Sequence, residues 1–346
     1  KKGIRKIKVI EIPNRKEAIN QAIQKLDTGE LLLVAGKGHE KIQDYGKRKL
    51  FFSDKEEILK AIKLKNKSLS KDLKLNIIKE ESKSQISNKL KLKNISINSK
   101  IIKKNDVFFA IKGQKIDGNK FVCEALKKKS SLAIVNKLNQ NCLPSKQVKV
   151  ENTLNFLSKC SSIFRENIDA KIISITGSCG KTSLKEMIGV ILKKISRTTY
   201  SPKSFNNKYG VPLSLFNLKQ NDNFGIFEVG MDKTGEIDSL TKMIKPDLGI
   251  ITNISYAHSK NFENINQIAD AKAEIMNNIK KNGLIVLNKD DYFYDQHKNF
   301  AIKKKLKVIS FGIDNNFSMI KLMKVKRNKN KYELLVNVNG LLVSFY

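Results

Sequence analysis

The sequence contains no tryptophan and very little arginine: six of its 67 basic residues are arginine, although the formal net charge is +34. The arginine fork is the group that binds phosphate and guanine at two points, and aromatic residues interleaved with basic ones stack single-stranded bases. Arginine is scarce in this chain, and we find no basic stretch interleaved with aromatic residues. We therefore interpret the charge as a solvated lysine surface and predict no nucleic-acid partner, with a basic nucleic-acid-binding module as the alternative.

Long apolar runs and paired cysteines are also missing. No apolar run approaches the roughly 18 residues of a membrane span, and the first residues, "KKGIRKIKVI", lack the hydrophobic region of a signal peptide. The four cysteines, Cys123, Cys142, Cys160 and Cys179, lie far apart and form no C-x-x-C pair. This spacing favours reduced thiols over disulfides or a zinc site. We expect a cytoplasmic protein without a membrane span.

Methionine is absent before Met187, so the chain begins without an initiator. A length of 346 residues also exceeds that of one ordinary domain. We interpret the chain as a piece of a longer polypeptide that contains more than one domain.

Three segments follow one another along the chain. In residues 1–64 we predict a helix at Glu17–Leu26, a buried strand at Leu31–Val34 and a second helix that begins with a capping box at Ser53–Glu56. Residues 65–76 lack a buried face, and we interpret them as a linker.

The other two segments combine strands and helices. Residues 77–168 contain the strand-like "DVFFAI" and "LAIV" with a helix at Phe121–Lys128 between them. Residues 169–346 alternate the apolar runs "KIISIT", "FGIFEVG", "DLGIITNI" and "GLIVLN" with helical stretches. This alternation predicts an α/β fold in which helices flank a parallel sheet. The final stretch, "KYELLVNVNGLLVSFY", has the pattern of a hairpin with its turn at Asn339–Gly340.

One of these strands runs into a glycine loop in "IISITGSCGKTS". A strand, a glycine loop and a helix N-terminus form an anion site in which the N–H groups of residues 177–181 point inward. We predict that Lys181 contacts the β- and γ-phosphates and that Thr182 binds Mg²⁺. The loop is two residues shorter than the general phosphate-loop pattern, and a glycine turn with an incidental lysine is the alternative. The helix after the loop has one apolar stripe, formed by Leu184, Met187, Ile188, Ile191, Leu192 and Ile195.

Three more side chains follow later strands of this segment. Glu228 ends the strand "FGIFEVG", His258 follows "ITNIS", and Lys272 lies on a predicted helix that begins near Ile268. Because the carboxyl ends of parallel strands meet at one crevice, we expect Glu228 to share the Mg²⁺ of Thr182. Taken singly, Glu228 also fits a surface charge, His258 a loop histidine and Lys272 one lysine among many.

Five stretches occur in order and together resemble the central ATPase domain of the Mur ligases: "ITGSCGKTSLKEM", "SFNNKYGVP", "FEVGMDKTGEI", "TNISYAH" and "DAKAEI". Within this family the resemblance is to the members that join D-alanyl-D-alanine to UDP-N-acetylmuramoyl-tripeptide. It implies an ATP-dependent, amide-bond-forming ligase of peptidoglycan precursor synthesis that works through an acyl phosphate. ATP and Mg²⁺ are the implied cofactors, and the UDP-linked tripeptide and D-alanyl-D-alanine are the implied substrates.

The resemblance also implies roles for single residues. One Mg²⁺ is held by Thr182 and Glu228, and a second by His258 and a carbamylated Lys272. Lys181, His258 and Lys272 are the implied catalytic residues. The residues that bind ATP are those of the glycine loop: Thr176, Gly177, Ser178, Cys179, Gly180, Lys181, Thr182 and Ser183.

Two further pairs of residues take their roles from the same resemblance. Asn288 and Asp290, in "LNKDD", resemble the Asn-x-Asp pair that lies near the nucleoside. Asn206 and Asn207, in "SFNNKYGVP", are implied to bind the substrate.

The second segment resembles the uridine-binding domain of the same family in the stretch "NSKIIKKNDVFFAIKGQKIDGNKF". Ser99, Gln114 and Lys115 are implied to lie near the UDP group. The family pattern begins Asp-Ser-Arg, whereas this chain has Asn98, Ser99 and Lys100, so any salt link within the triplet is lost.

The first segment, with "LLLVAGKGHEKIQ" and "FFSDKEEILKAI", resembles the C-terminal end of a different Mur ligase, the one that adds the third amino acid of the peptide. Gly36 and Glu40 are implied to contact a diamino acid, with a plain surface turn as the alternative. The resemblance therefore implies a partial Rossmann-like C-terminal domain at residues 1–64, a UDP-binding domain at residues 77–168 and an ATP-binding domain at residues 169–346. It also implies a monomeric fusion of two consecutive ligases.

The family's third domain would lie beyond residue 346. We therefore expect at most weak nucleotide binding, and no ligation, by residues 1–346 alone. The diamino-acid-adding ligase and folylpolyglutamate synthetase, which share this class of ATPase domain, are the alternative functions.

Overall fold

The computed structural model describes residues 10–26, 30–36, 40–44, 46, 49–87, 90–113, 115–256, 261–328 and 331–345. The chain forms two compact units, residues 1–73 and residues 74–346. No helix among the described residues is long and apolar enough to cross a membrane.

The first unit contains helix α1 (Arg15–Lys25), the antiparallel strands β1 (Ile42–Asp44) and β2 (Lys49–Phe51), and the start of helix α2 (Asp54–Ser82). Helix α2 begins after Ser53, whose hydroxyl accepts the N–H of Glu56 at 3.4 Å, as the capping box predicts. The buried apolar side chains described in this unit are Ile19, Ile23 and Ala61.

One prediction for this region is wrong, and one segment is more regular than its sequence suggested. Residues 31–34 form no strand, and the side chains of Leu31 and Leu33 are 99% and 88% exposed. A strand needs a neighbour to satisfy its backbone, and the described part of this unit pairs β1 only with β2. Residues 65–76, predicted as a linker, lie inside α2. Residues 54–82 contain neither glycine nor proline and are rich in lysine, leucine and glutamate, so nothing in them ends a helix.

The second unit begins with a four-stranded parallel sheet in the order β3 (Ile95–Ser96), β4 (Val107–Phe109), β5 (Leu132–Val135) and β6 (Gln147–Lys149). Helix α3 (Val122–Lys127) packs against β5 and lies within the predicted helix. Three short 3-10 helices, Ser99–Ile101, Gly118–Phe121 and Pro144–Lys146, complete this part.

The prediction of four reduced cysteines is wrong. Cys123 on α3 and Cys142 in the loop between β5 and β6 form a disulfide, with their Cα atoms 5.5 Å apart. The sequence separation of 19 residues gave no motif, because only the packing of α3 on the sheet brings the two thiols together. Cys160 is free and buried, and burial raises the pKa of its thiol to about 12, whereas Cys179 is free and exposed.

Helix α4 (Thr153–Glu166) joins this sheet to a larger one. At its start, the hydroxyl of Thr153 donates to the carbonyl of Ala110 at 3.1 Å. Further along, the hydroxyl of Ser161 donates to the carbonyl of Pro212 at 2.8 Å. The helix therefore contacts both parts of the second unit.

The larger sheet has nine strands in the order β15-β14-β13-β12-β11-β10-β7-β9-β8. All neighbouring pairs from β8 to β13 in this order are parallel. The pairs β13–β14 and β14–β15 are antiparallel. The strands are β7 (Lys171–Thr176), β8 (Thr198–Tyr200), β9 (Phe224–Glu228), β10 (Leu248–Ile251), β11 (Leu284–Asn288), β12 (Lys307–Gly312), β13 (Ile320–Asn328), β14 (Lys331–Val338) and β15 (Leu341–Phe345). The helices are α5 (Lys181–Ile195), α6 (Gly210–Phe216), α7 (Glu236–Ile244), α8 (Ile265–Ala273), a 3-10 helix at Glu274–Asn278, and α9 (Tyr294–Lys303).

This architecture confirms the predicted α/β class with a parallel sheet. The predicted hairpin is also present: Val338 pairs with Leu341, and Asn339 and Gly340 between them have φ of 51° and 90°. Two successive left-handed residues form the turn that matches the twist of a hairpin.

A side-chain amide links the two sheets. Asn217, at the end of α6, donates its amide N–H to the carbonyl of Ile95 on β3 and accepts the N–H of Ile95, both at 2.8 Å. Asn217 thus satisfies both backbone groups of one residue on the edge strand of the small sheet, as a neighbouring strand would.

The apolar stripe predicted on α5 is only half buried. Leu184, Ile188 and Leu192 pack on the sheet, whereas Met187 and Ile191 are exposed. The apolar stripe that helical spacing predicts is therefore wider than the side of the helix that the sheet covers.

Strand β7 lies at the point where the strand order reverses. The chain leaves β7 toward β8 at one edge, and β10 then pairs on the other side of β7. In open α/β sheets the crevice at such a point, outside the carboxyl ends of the strands, is where ligands bind. The glycine loop begins at this crevice.

Candidate active site

The glycine loop runs from Thr176, the end of β7, to Lys181, the start of α5. Gly177 and Gly180 have φ of +143° and +80°, which side chains with a Cβ adopt at a cost. A Cβ at Gly177 would also lie 1.9 Å from the hydroxyl of Thr252. No side chain caps the N-terminus of α5, so its first N–H groups are available to an anion.

The end of the neighbouring strand β10 holds the loop in place. Asn253 accepts the N–H of Ser178 on its backbone carbonyl at 2.9 Å and the N–H of Cys179 on its side-chain oxygen at 3.0 Å. The hydroxyl of Thr252 donates to the carbonyl of Cys179 at 2.6 Å. On the other side, the hydroxyl of Ser178 exchanges hydrogen bonds with the backbone of Ser255. The loop is therefore shaped before any ligand binds. It differs from the prediction in one respect: the N–H groups of Ser178 and Cys179 are donated to Asn253, so the N–H groups at the start of α5 are the ones left for an anion.

Lys181 folds back over this loop. Its ammonium donates to the carbonyl of Gly177 at 2.7 Å and to the carbonyl of Ser178 at 3.3 Å. The positive charge thus lies at the loop that presents the N–H groups. Both features attract a phosphate group.

A buried carboxylate lies beside the first turn of α5. Glu228, at the end of β9, is 1% exposed and accepts a hydrogen bond from the hydroxyl of Thr182 at 2.7 Å. Its other oxygen accepts the side-chain N–H of Asn206 at 2.7 Å. Among the described residues no cation pairs with Glu228. A buried carboxylate next to a hydroxyl and without a counter-ion fits a divalent cation, because oxygen donors are the ligands that Mg²⁺ prefers.

Lys272, on α8, is buried close to Lys181. Its side chain is 2% exposed and has no hydrogen-bond partner among the described residues. Burial, and then the nearby charge of Lys181, lower the pKa of Lys272 to about 8, although Cys179 acts in the opposite direction. Part of the Lys272 population is therefore neutral in weakly alkaline solution.

This pKa has a measurable consequence for stability. Lys272 in the unfolded chain titrates near its ordinary value of 10.5, so the unfolded state binds the proton more tightly. Protonation therefore destabilises the fold below pH 8, and the free energy of unfolding rises between pH 8 and 10.5. Lys272→Met is expected to raise the free energy of unfolding at pH 7 by about 3 kcal/mol, a gain that disappears by about pH 10.5.

Urea unfolding at pH 7, 8, 9 and 10 measures this difference. Lys193→Met, which removes an exposed lysine of α5, is the control, and we expect no pH-dependent change from it. Equal stability of Lys272→Met and the unaltered chain at pH 7 would contradict the conclusion that burial destabilises the charged form of Lys272.

The predicted second metal site is only partly visible. His258 lies outside the described residues, so its place relative to Lys272 stays a prediction. Within the described ranges, no three His, Cys, Asp or Glu side chains come together as a metal cluster.

Asn288 and Asp290 lie at the end of β11 and line a surface pocket of 470 Å³ together with Ile254, Asp291 and Tyr292. Burial opposes ionisation of Asp290, but hydrogen bonds from the backbone N–H groups of residues 313–315 dominate and lower the pKa of its carboxyl. Asp290 therefore holds the loop after β12, and the pocket lies next to it.

The residues predicted near UDP lie in the small sheet. Ser99 is buried, and its hydroxyl donates to the carboxylate of Glu124 at 2.9 Å. Lys115 is exposed, and Gln114 lies outside the described residues. The Ser99 hydroxyl is thus used within the fold.

Asn207 accepts the N–H groups of Tyr209 and Gly210 and so starts α6, whereas its neighbour Asn206 reaches Glu228. In the first unit, Gly36 has φ of +109° and packs near Arg15, and Glu40 is exposed. None of these placements tests a substrate contact.

Several residues of the site were not predicted. Thr252 and Ser255 hold the glycine loop, and Ser204 lies 3.4 Å from the hydroxyl of Thr182. These three residues and the buried Lys185 all lie within the stretches that resemble the Mur ligase domain, but no role was assigned to them from the sequence. Hydrogen bonds between distant loops are set by the tertiary fold.

The central parallel sheet, the glycine loop at its switch point and the carboxylate from the adjacent strand define an α/β protein of the phosphate-loop class. Residues 175–344 match the model of the Mur ligase middle domain, which assigns this part of the chain to the Mur ligase family.

The sequence relatives include UDP-N-acetylmuramoyl-tripeptide--D-alanyl-D-alanine ligases of two bacteria. The one from Rickettsia prowazekii is 36% identical over 231 residues, which is 66% of this chain and 51% of the relative. The one from Buchnera aphidicola subsp. Acyrthosiphon pisum is 36% identical over 225 residues, or 62% of this chain and 49% of the relative. The chain spans about half the length of the curated relatives it matches.

Solved structures of the same kind of ligase share the fold. MurF from Acinetobacter baumannii aligns with a TM-score of 0.67 and 26% identity, over 78% of this chain and 59% of that one. MurF ligase from Thermotoga maritima in complex with ADP aligns with a TM-score of 0.62 and 25% identity, over 75% of this chain and 58% of that one.

Proposed function

We propose that this chain is part of an ATP-dependent ligase that joins D-alanyl-D-alanine to UDP-N-acetylmuramoyl-tripeptide in peptidoglycan precursor synthesis. The observation that supports this most directly is the Thr182–Glu228 hydrogen bond beside the glycine loop. It brings a metal-binding pair to the phosphate-binding N–H groups. The proposed substrates are those of the related ligases from Rickettsia prowazekii and Buchnera aphidicola.

A carboxylate is a poor electrophile, so the proposed reaction transfers the γ-phosphoryl group of ATP to the terminal carboxylate of the tripeptide. The amine of D-alanyl-D-alanine then attacks the acyl phosphate, the new C–N bond forms and phosphate leaves. The chain's contribution is to hold charge in place: the loop N–H groups and Lys181 offset the negative charge of the phosphates.

Thr182 and Glu228 are the residues that would hold one Mg²⁺, and the hydroxyl beside a buried carboxylate without a described counter-ion fits it. Mg²⁺, when bound, neutralises phosphate charge and aligns the reacting oxygens. Lys272, as a carbamate, and His258 would hold a second ion. Carbamate formation needs a neutral amine, and the lowered pKa of Lys272 supplies one near pH 8.

We also propose that residues 77–168 bind the UDP end of the substrate, near Ser99, Gln114 and Lys115, and that Asn288 and Asp290 lie near the nucleoside of ATP. Asn206 and Asn207 are proposed to approach the peptide end. In the first unit, Gly36 and Glu40 are proposed to belong to the end of a preceding Mur ligase that binds a diamino acid. A cytoplasmic location and a monomeric state complete the proposal.

Equilibrium binding to residues 1–346 tests this function. We expect ADP with Mg²⁺ and UDP-N-acetylmuramoyl-tripeptide to bind, and a folate not to bind. Lys181→Met should weaken ADP binding about 10- to 100-fold, since it removes a charged hydrogen bond to phosphate, and should leave the UDP-linked ligand unaffected. Binding of folate in place of the UDP-linked peptide would assign the chain to folylpolyglutamate synthesis instead.

A further inference from the structure

A second lysine near the glycine loop is completely buried, and nothing above uses it. Lys185 lies one helical turn after Lys181 on α5, and its side chain is 0% exposed. A buried ammonium is stable only when it has partners. Its partners are the carbonyl of Lys203 and, at 3.1 Å, the carboxylate of Glu186, whose side chain is 44% exposed.

The hydrogen bond to Lys203 fixes a loop rather than another helix. Residues 201–207 lie in the connection between β8 and α6, and Lys203 has φ of 46°, a left-handed conformation that costs energy for any residue with a Cβ. Within this loop Phe205 donates its N–H to Pro202 at 3.2 Å, and Asn206 donates to Ser204 at 2.9 Å. The loop's internal bonds are local.

This loop carries two side chains into the proposed metal site. Ser204 places its hydroxyl 3.4 Å from that of Thr182, and Asn206 donates to Glu228 at 2.7 Å. At the far end of the loop, the carbonyl of Asn206 accepts the N–H of Gly230 at 2.8 Å. Lys185 and Gly230 therefore hold the loop on either side of Ser204.

We propose that Lys185 is a positioning residue that sets the geometry of the metal site through the loop of residues 201–207. Its ammonium holds the carbonyl of Lys203, and the loop then presents Asn206 to one oxygen of Glu228. The other oxygen stays directed at Thr182. This inference rests on the proposed function, because it assigns a role in Mg²⁺-dependent nucleotide binding.

The test compares nucleotide affinity with and without the metal. In Lys185→Met, we expect the Mg²⁺ concentration that half-maximally enhances ADP binding to rise about 10- to 100-fold, as it does when the supporting partners of metal ligands are removed. ADP binding without Mg²⁺, which depends on the loop N–H groups, should change less than about twofold, as expected for a site with no shared partner. A purely structural lysine would lower thermal stability and leave this Mg²⁺ dependence unchanged.

Three variants sharpen the comparison. Asn206→Ala should produce the same shift, and the double variant with Lys185→Met should be no worse than Asn206→Ala alone, because both act through one path. Lys203→Gly keeps the carbonyl and relieves the left-handed strain, so it should leave the Mg²⁺ dependence as it is. Lys193→Met controls for the loss of one lysine from α5.

Each outcome decides the question. If Lys185→Met fails to fold, Lys185→Leu, which also lacks a donor, replaces it in the same titration, and Asn206→Ala alone then tests the path from the loop to Glu228. Unaltered Mg²⁺ dependence in the folded variant would overturn the role of Lys185 and leave the proposed function standing. Absence of any Mg²⁺ effect in the unaltered chain would overturn the proposed function, and the role of Lys185 with it.

Discussion

Gly177→Ala is expected to abolish nucleotide binding. The new Cβ would lie 1.9 Å from the hydroxyl of Thr252, and the residue would have to keep a φ of +143°. Both the overlap and the backbone conformation disfavour alanine, each by about 1–3 kcal/mol. Because Thr252 also anchors the carbonyl of Cys179, the overlap distorts the loop that presents its N–H groups. Titration with ADP, together with a thermal melt, measures both effects.

Gly180→Ala provides the matched control for this substitution. Gly180 also has a positive φ, but nothing lies within 4 Å of a Cβ at that position. Its alanine variant should therefore lose about 1 kcal/mol of stability from backbone strain and retain part of the nucleotide affinity. In the double variant Gly177→Ala, Thr252→Ala, removal of the hydroxyl should restore some binding. Equal behaviour of the two glycine variants would refute the steric explanation.

Glu228→Gln is expected to remove the Mg²⁺ dependence of nucleotide binding without unfolding the chain. The amide has the shape of the carboxylate: its oxygen accepts from Asn206 and its N–H donates to the hydroxyl of Thr182. What is lost is the charge that binds the cation. We expect the Mg²⁺ requirement to rise more than about 100-fold, beyond the effect of losing a supporting residue.

The same variant should bind Mg²⁺ less well but be at least as stable as the unaltered chain when no metal is present. Glu228 is 1% exposed, and no cation pairs with it among the described residues, so its charge is destabilising when no metal is bound. The melting temperature of Glu228→Gln without Mg²⁺ should equal or exceed that of the unaltered chain. Glu151→Gln, at an exposed position, is the control and should change neither quantity. A large fall in melting temperature for Glu228→Gln alone would contradict the assignment.

Much of the larger sheet was predictable from local patterns. Each apolar run of residues 171–288 became a parallel strand, because a strand covered on both faces consists of consecutive apolar residues. The glycine loop was predictable because its glycines, lysine and threonine lie next to one another in the sequence. The pairing of Thr182 with Glu228 followed from the rule that parallel strands end at one edge.

The wrong predictions involve features that depend on distant partners. The apolar residues 31–34 resemble a strand, yet the described part of their unit has no strand beside them. The disulfide joins a helix to a loop 19 residues away, and no local motif marks it. Residues 65–76, whose assignment as a linker stays a prediction, lie within a helix and include the buried Leu75. Helix formation there requires only that the backbone be free of breakers.

By itself, the sequence determined the α/β class, the phosphate loop and the strand end that carries Glu228, because each depends on residues within one turn or one strand. Only the tertiary structure decided which of the many lysines are buried, and so singled out Lys185 and lowered the pKa of the buried Lys272. It also decided that Asn206 contacts Glu228 and that Asn217 contacts β3. Burial and side-chain pairing depend on which segments the fold brings together, and sequence spacing carries no record of those distances.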